Sequence, residues 1–138
     1  MDAARVKWIG EERFETVTPS GHTVGFDSDR KSNAGPGPME MLLAALGSCT
    51  ATDVVVILAK KRQTLEALEV VVSGERAAEP PRVWTKIDVV YRLKGILEEK
   101  AVRDAIDLSE SKYCSVAAML RKTAEISIRY EILPSEKT

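Results

Sequence analysis

A chain of 138 residues, 44% hydrophobic and 30% charged, has the size and make-up of one folded domain, and nothing in it reads as disordered or low in complexity. Its 20 basic and 21 acidic residues leave a net charge of −1, which argues against a nucleic-acid-binding face, because that needs a basic excess or stripe. Two cysteines make no disulfide framework, and the start, MDAARVKWIG, has neither the apolar run nor the small-residue cleavage site of a secretory signal. The expected location is therefore cytoplasmic and reducing, with both thiols reduced at rest.

In chain order, residues 5–9 and 13–18 alternate apolar and polar side chains around Gly10 and predict two short strands. Pro19-Ser20-Gly21 is turn chemistry, and residues 22–26 predict a third strand, completing a meander. Residues 27–38 are loop-like, rich in Asp, Ser, Gly and Pro. Pro38 suits the first turn of a helix that is rich in Leu, Ala and Met and runs to about Lys61. From Met39 to Ala59 the only charges are Glu40 and Asp53. That length fits a bilayer span, but Gly47, Ser48, Thr50, Thr52 and Asp53 sit near its middle. A helix buried on most of its circumference, with no membrane, is the expectation. So apolar a helix also calls for cover from a partner subunit.

Strands are predicted from Leu65 to about Ala77, with Leu68, Val70 and Val72 on one face, and from Val83 to Leu93, with Ile87, Val89, Tyr91 and Leu93 on one face and Trp84, Lys86, Asp88 and Arg92 on the other. A Gly95 turn leads to a helix over 98–107. Ser109 reads as the N-cap of a further helix through Lys122. A last strand alternates Ile126, Ile128, Tyr130 and Ile132 with Glu125, Ser127, Arg129 and Glu131, and the tail PSEKT is expected to fray. The fold class is α+β: six mostly antiparallel strands, one central buried helix and two further helices, in a single domain over 1–138.

Few side chains are candidates for chemistry. His22 is the only histidine and sits beside a turn, a poor place for a catalytic base. One His and two widely spaced Cys match no metal-ligand spacing, and no glycine-rich phosphate loop is present, so neither metal nor cofactor is expected. Cys49 and Cys114 remain. Each alone could be a core filler, since free cysteine is among the most buried residue types. Against that, Cys114 falls near a helix N-terminus, which lowers a thiol's pKa, and Gly47 and Ser48 thin the helix surface beside Cys49. Asp53, four residues beyond Cys49, shares its helix face and would raise that thiol's pKa unless neutralised.

The run Gly35-Pro36-Gly37-Pro38-Met39-Glu40-Met41-Leu42-Leu43-Ala44-Ala45-Leu46-Gly47-Ser48-Cys49-Thr50 resembles the signature of the OsmC/Ohr family of peroxide-reducing proteins: a proline-led helix with a cysteine eleven residues on. Leu108-Ser109-Glu110-Ser111-Lys112-Tyr113-Cys114-Ser115-Val116 resembles that family's second cysteine motif, 65 positions after the first cysteine. Around both cysteines the wording is closest to the YhfA-like branch. The resemblance covers nearly the whole chain and implies an intertwined homodimer with sites at the subunit interface. It implies a two-cysteine peroxidase in which Cys49 attacks a small-molecule hydroperoxide, Cys114 resolves the product as a disulfide, and a thiol or dithiol reductant restores the pair. Met39, Leu42, Leu43, Leu46 and Met119 would line an apolar substrate site favouring organic hydroperoxides, the alternative being that they are plain core.

The chain also departs from the family pattern. Typical members carry a glutamate directly after the proline, paired with an arginine that activates the thiolate. Here Met39 holds that place and Glu40 follows, about 100° further round the helix. Arg13 is the nearest candidate for the arginine, with Arg5 and Arg30 as rivals. The alternative is a small-ligand-binding protein on the same scaffold with weak or no peroxidase activity.

Overall fold

The computed structural model describes residues 1–136 and divides into two compact units, Met1–Leu42 and Leu43–Thr138. In the first, β1 (Arg5–Gly10), β2 (Arg13–Val17) and β3 (Thr23–Asp27) form an antiparallel meander, with Trp8 opposite Phe14 and Phe14 opposite Phe26. Gly10 turns the chain at φ +121°, a backbone conformation that suits glycine, and a bulge between Trp8 and Gly10 tightens the turn.

The loop after β3 is held by two side chains. Buried Asp27 accepts from the Ser32 hydroxyl at 2.6 Å and from the amides of Asp29 and Ala34, and these bonds hold its carboxyl below the usual range. Arg30 reaches the carbonyls of Asp27 and Gly35 and the side chains of Asn33 and Glu40. Glu40 Oε1 also accepts from the Gly37 amide at 2.8 Å, so it caps the helix that opens at Pro38.

That helix, α1, spans Pro38–Lys60. By length and composition it could cross a membrane, yet only part of its circumference is buried. Leu46, Thr50, Val54 and Leu58, at four-residue steps, are fully enclosed, whereas Leu42, Val55 and Val56 are exposed. The expectation of burial on most of its circumference is thus corrected, within one chain, to a single buried stripe.

In the second unit, β4 (Thr64–Arg76) pairs antiparallel with β5 (Trp84–Ile96), and β5 pairs parallel with β6 (Glu125–Pro134). A parallel pair needs a crossover connection, and here the crossover is helical. It comprises α2 (Glu99–Leu108), a π-helical turn (Ser109–Tyr113) and α3 (Ser115–Leu120). Ile87, Val89, Tyr91 and Leu93 on one face of β5 meet the α1 stripe and Val102, Ala105 and Ile106 of α2 in the core. Gly47 lets α1 approach β4, since a β-carbon there would stand 3.2 Å from Val72 Cγ2. At the chain's end, Pro134 belongs to β6 and Glu136 pairs with Lys94; of the tail expected to fray, Lys137 and Thr138 lie outside the described residues.

Candidate thiol site

Cys49 stands on α1, half-buried, directly before the enclosed Thr50. Cys114 is almost fully buried where the crossover changes pitch. The π-helical turn widens the backbone by one residue, and the Cys114 amide closes it on the Ser109 carbonyl at 2.8 Å. Cys114 then becomes the N-cap of α3, its sulfur accepting from the Ala117 amide at 3.4 Å. Ser109 was expected to be that cap. Its hydroxyl is engaged elsewhere, as described below.

The two cysteines are 3.4 Å apart, and their thiols are hydrogen-bonding neighbours. The Ser115 hydroxyl lies 3.9 Å from Cys49 Sγ. Partial burial pushes the Cys49 thiol up, but hydrogen bonds from the Val116 amide, Cys114 and Ser115 outweigh it, and the net shift is downward. The Asp53 charge acts upward, with the sign expected from its place one turn on. Cys114 moves the other way. Burial pushes it up to about 11, and the charges of Cys49 and Glu110 add to the rise. The helix-terminus benefit expected for Cys114 is present, since the Ala117 amide acts downward on its thiol, but burial outweighs it; the Val116 amide of the same first turn serves Cys49 as well. The result is one thiol prepared to ionise beside one prepared to stay protonated and donate to it.

Behind the pair runs a file of polar side chains. Ser109 donates to Asp53 Oδ2 at 2.8 Å, and Thr50 lies 2.7 Å from both the Ser109 and the Tyr91 hydroxyls. Tyr91 donates to Glu110 Oε1 at 2.9 Å, and Arg121 donates to Glu110 Oε2 at 2.9 Å. Thr50, Tyr91, Ser109 and Glu110 are all buried. None was singled out from sequence as a site residue. The available signal was polar groups on apolar faces: Thr50 in the α1 stripe, and Tyr91 among Ile87, Val89 and Leu93, where a phenol needs a partner.

The other expected site residues are placed as follows. Leu46 is wholly enclosed in the core, and Leu43 packs partly buried against it. Met119 is 74% exposed on α3. In the first unit, Met39 is half-buried and Leu42 exposed at the head of α1. The cation paired with Glu40 is Arg30, at 3.0 Å, rather than Arg13. Arg13, on β2, has an enclosed Nε with no hydrogen-bond partner among the described residues. Among the described residues no three His, Cys, Asp or Glu side chains converge as metal ligands would.

An α+β chain with a close, asymmetrically tuned thiol pair carried by a central helix and a helical crossover defines a class of dithiol protein. Known proteins place it more closely. Residues 30–129 match the family model described as OsmC-like protein. The chain is 44% identical over 131 residues to protein YhfA of Escherichia coli (strain K12), covering 94% of this chain and 97% of that one. A crystal structure of a hypothetical protein from Aquifex aeolicus superposes with a TM-score of 0.90 at 32% identity, covering 99% and 98% of the two chains. An organic hydroperoxide resistance protein OsmC from Legionella pneumophila shares the fold, with a TM-score of 0.72 at 12% identity over 95% and 96% of the chains. This chain belongs to the OsmC-like family.

Proposed function

We propose that the protein is a thiol-dependent peroxidase that reduces organic hydroperoxides through Cys49 and Cys114. Family membership and the organic hydroperoxide resistance proteins among its structural neighbours support a redox or peroxide-resistance role. The observation that carries the finer reading is the opposite tuning of two touching thiols. The Cys49 thiolate attacks the terminal peroxide oxygen and becomes a sulfenic acid while an alcohol leaves. The Cys114 thiol condenses with it, forming a disulfide and releasing water, and an external thiol or dithiol reduces the disulfide.

The downward shift of Cys49 favours this reading over a ligand-binding protein with an inert thiol. The reading includes a cytoplasmic setting, where reductant is at hand, and a homodimer, supported by the exposed Val55 and Val56 on α1. The test is peroxide consumption with a dithiol reductant. Wild type is expected to turn over tert-butyl hydroperoxide, and Cys49→Ser to lose essentially all of that activity. Equal consumption by both proteins would refute the assignment.

A further inference from the structure

A helix of six residues, such as α3, is too short to be stable through its own hydrogen bonds, so contacts outside it must fix its place. Its apolar anchorage is slight. Ala117 is fully enclosed, Val116 and Leu120 are half-buried, and Met119 lies exposed. Yet the first turn of α3 supplies the amides that reach both sulfurs, Val116 to Cys49 and Ala117 to Cys114. A hydrogen bond weakens steeply as its donor swings off line, so the aim of this turn governs how readily Cys49 ionises.

One end of α3 is fixed through Cys114. The other end is fixed by charge. Arg121, the C-cap, donates to Glu110 Oε2 at 2.9 Å. Glu110 belongs to the π-helical turn, and its side chain is only 8% exposed. Its second oxygen accepts from Tyr91 of β5 at 2.9 Å, and the Tyr91 hydroxyl lies 2.7 Å from that of Thr50, the neighbour of Cys49 on α1. The ion pair therefore ties the far end of α3 to the sheet and to the α1 turn that carries Cys49. A buried carboxylate that loses its cation is costly, which keeps the tie closed. The titratable groups facing the two sulfurs are each other, Asp53 on α1 and Glu110 on the π-helical turn, with Tyr91 facing Cys114 from β5.

We propose that the Arg121–Glu110 ion pair is a positioning device that holds the first turn of α3 aimed at the sulfurs and so sets the reactivity of Cys49. Both residues act through α3 and are positioning residues. The bearing of the pair on peroxide reduction rests on the peroxidase reading above; its bearing on the thiol does not.

The experiment reads the pH profile of Cys49 alkylation by iodoacetamide in the reduced full-length protein, and beside it the rate of Cys49 oxidation by tert-butyl hydroperoxide. Glu110→Gln keeps an acceptor for Tyr91 but removes the anion, and Arg121→Gln removes the cation. Each is expected to raise the alkylation midpoint by about 0.5 pH unit or more, roughly a threefold loss of thiolate below it, and to slow oxidation in step. The combined variant should match the worse single one, because residues in one contact are coupled. Arg121→Lys, which keeps a cation for Glu110, should hold the midpoint near that of wild type. If Arg121→Gln does not fold, Glu110→Gln decides alone. An effect of charge without positioning would move the singles in opposite directions, Glu110→Gln downward and Arg121→Gln upward. A merely structural pair would lower thermal stability and leave the midpoint unchanged. Either result overturns the proposal. Shifted midpoints with a wild-type Cys49 inert to the hydroperoxide would sink the peroxidase reading and leave the positioning of the thiol standing.

Discussion

A thiol ionises according to what points at its sulfur. At Cys49 the Val116 amide, the Cys114 thiol and the Ser115 hydroxyl all favour the anion, against the burial and the Asp53 charge that oppose it. Removing one donor should therefore move the balance measurably. In Cys114→Ala the midpoint of the pH profile for alkylation of Cys49 is expected to rise, and its alkylation at neutral pH to slow. An unchanged or lower midpoint would mean that Cys114 does not stabilise the Cys49 thiolate. Both cysteines could be picked out from sequence because their motifs are local. That the α3 terminus serves Cys49 as well as Cys114 could not, because the Val116 amide reaches Cys49 across 67 positions of chain. The same limit hid Thr50, Tyr91 and Glu110, whose polar atoms find each other only after α1, β5 and the crossover have packed.

Helices and strands were legible wherever a simple period ran unbroken. The alternation of Ile87, Val89, Tyr91 and Leu93 gave the inward face of β5 directly, and Pro38 marked the start of α1. The crossover was not legible in the same way. A Ser before an apolar run reads as an N-cap, but the Ser109 hydroxyl binds Thr50 and Asp53, and the π-helical turn carries the chain on to Cys114 before α3 begins. A one-residue widening leaves no periodic trace. Nor does alternation say which neighbour a strand takes, so the parallel β5–β6 pairing emerged only from the crossover. The β4–β5 join supplies a stability test at this scale. Gly95 lies at φ +152°, and a β-carbon there would stand 2.1 Å from the Thr64 carbonyl oxygen, opposite the bulge between Leu65 and Ala67. Gly95→Ala is expected to lower unfolding free energy by about 2 kcal/mol or more, read by urea denaturation. A change within about 0.5 kcal/mol would contradict that backbone geometry.

For the molecule as a whole, the buried acids set a pH limit. Burial pushes Cys114 up to about 11, and Tyr91 is also raised, chiefly by burial. The folded state thus keeps protons that the unfolded chain releases from its free thiol near pH 8.5 upward. This contribution is complete below that pH and is lost as pH climbs toward 11. Thermal stability should fall over that interval, and Cys114→Ala should make the fall shallower; an identical alkaline profile for the variant would exclude Cys114 as a source. The proposed function depends on Cys49 and Cys114 meeting. The most direct measurement is intact-mass and thiol analysis of the reduced protein after one equivalent of an organic hydroperoxide. The account predicts the loss of two hydrogens and of both free thiols, with a peptide cross-linked through Cys49 and Cys114. Two surviving thiols, or a Cys49 oxidised further while Cys114 stays free, would contradict it.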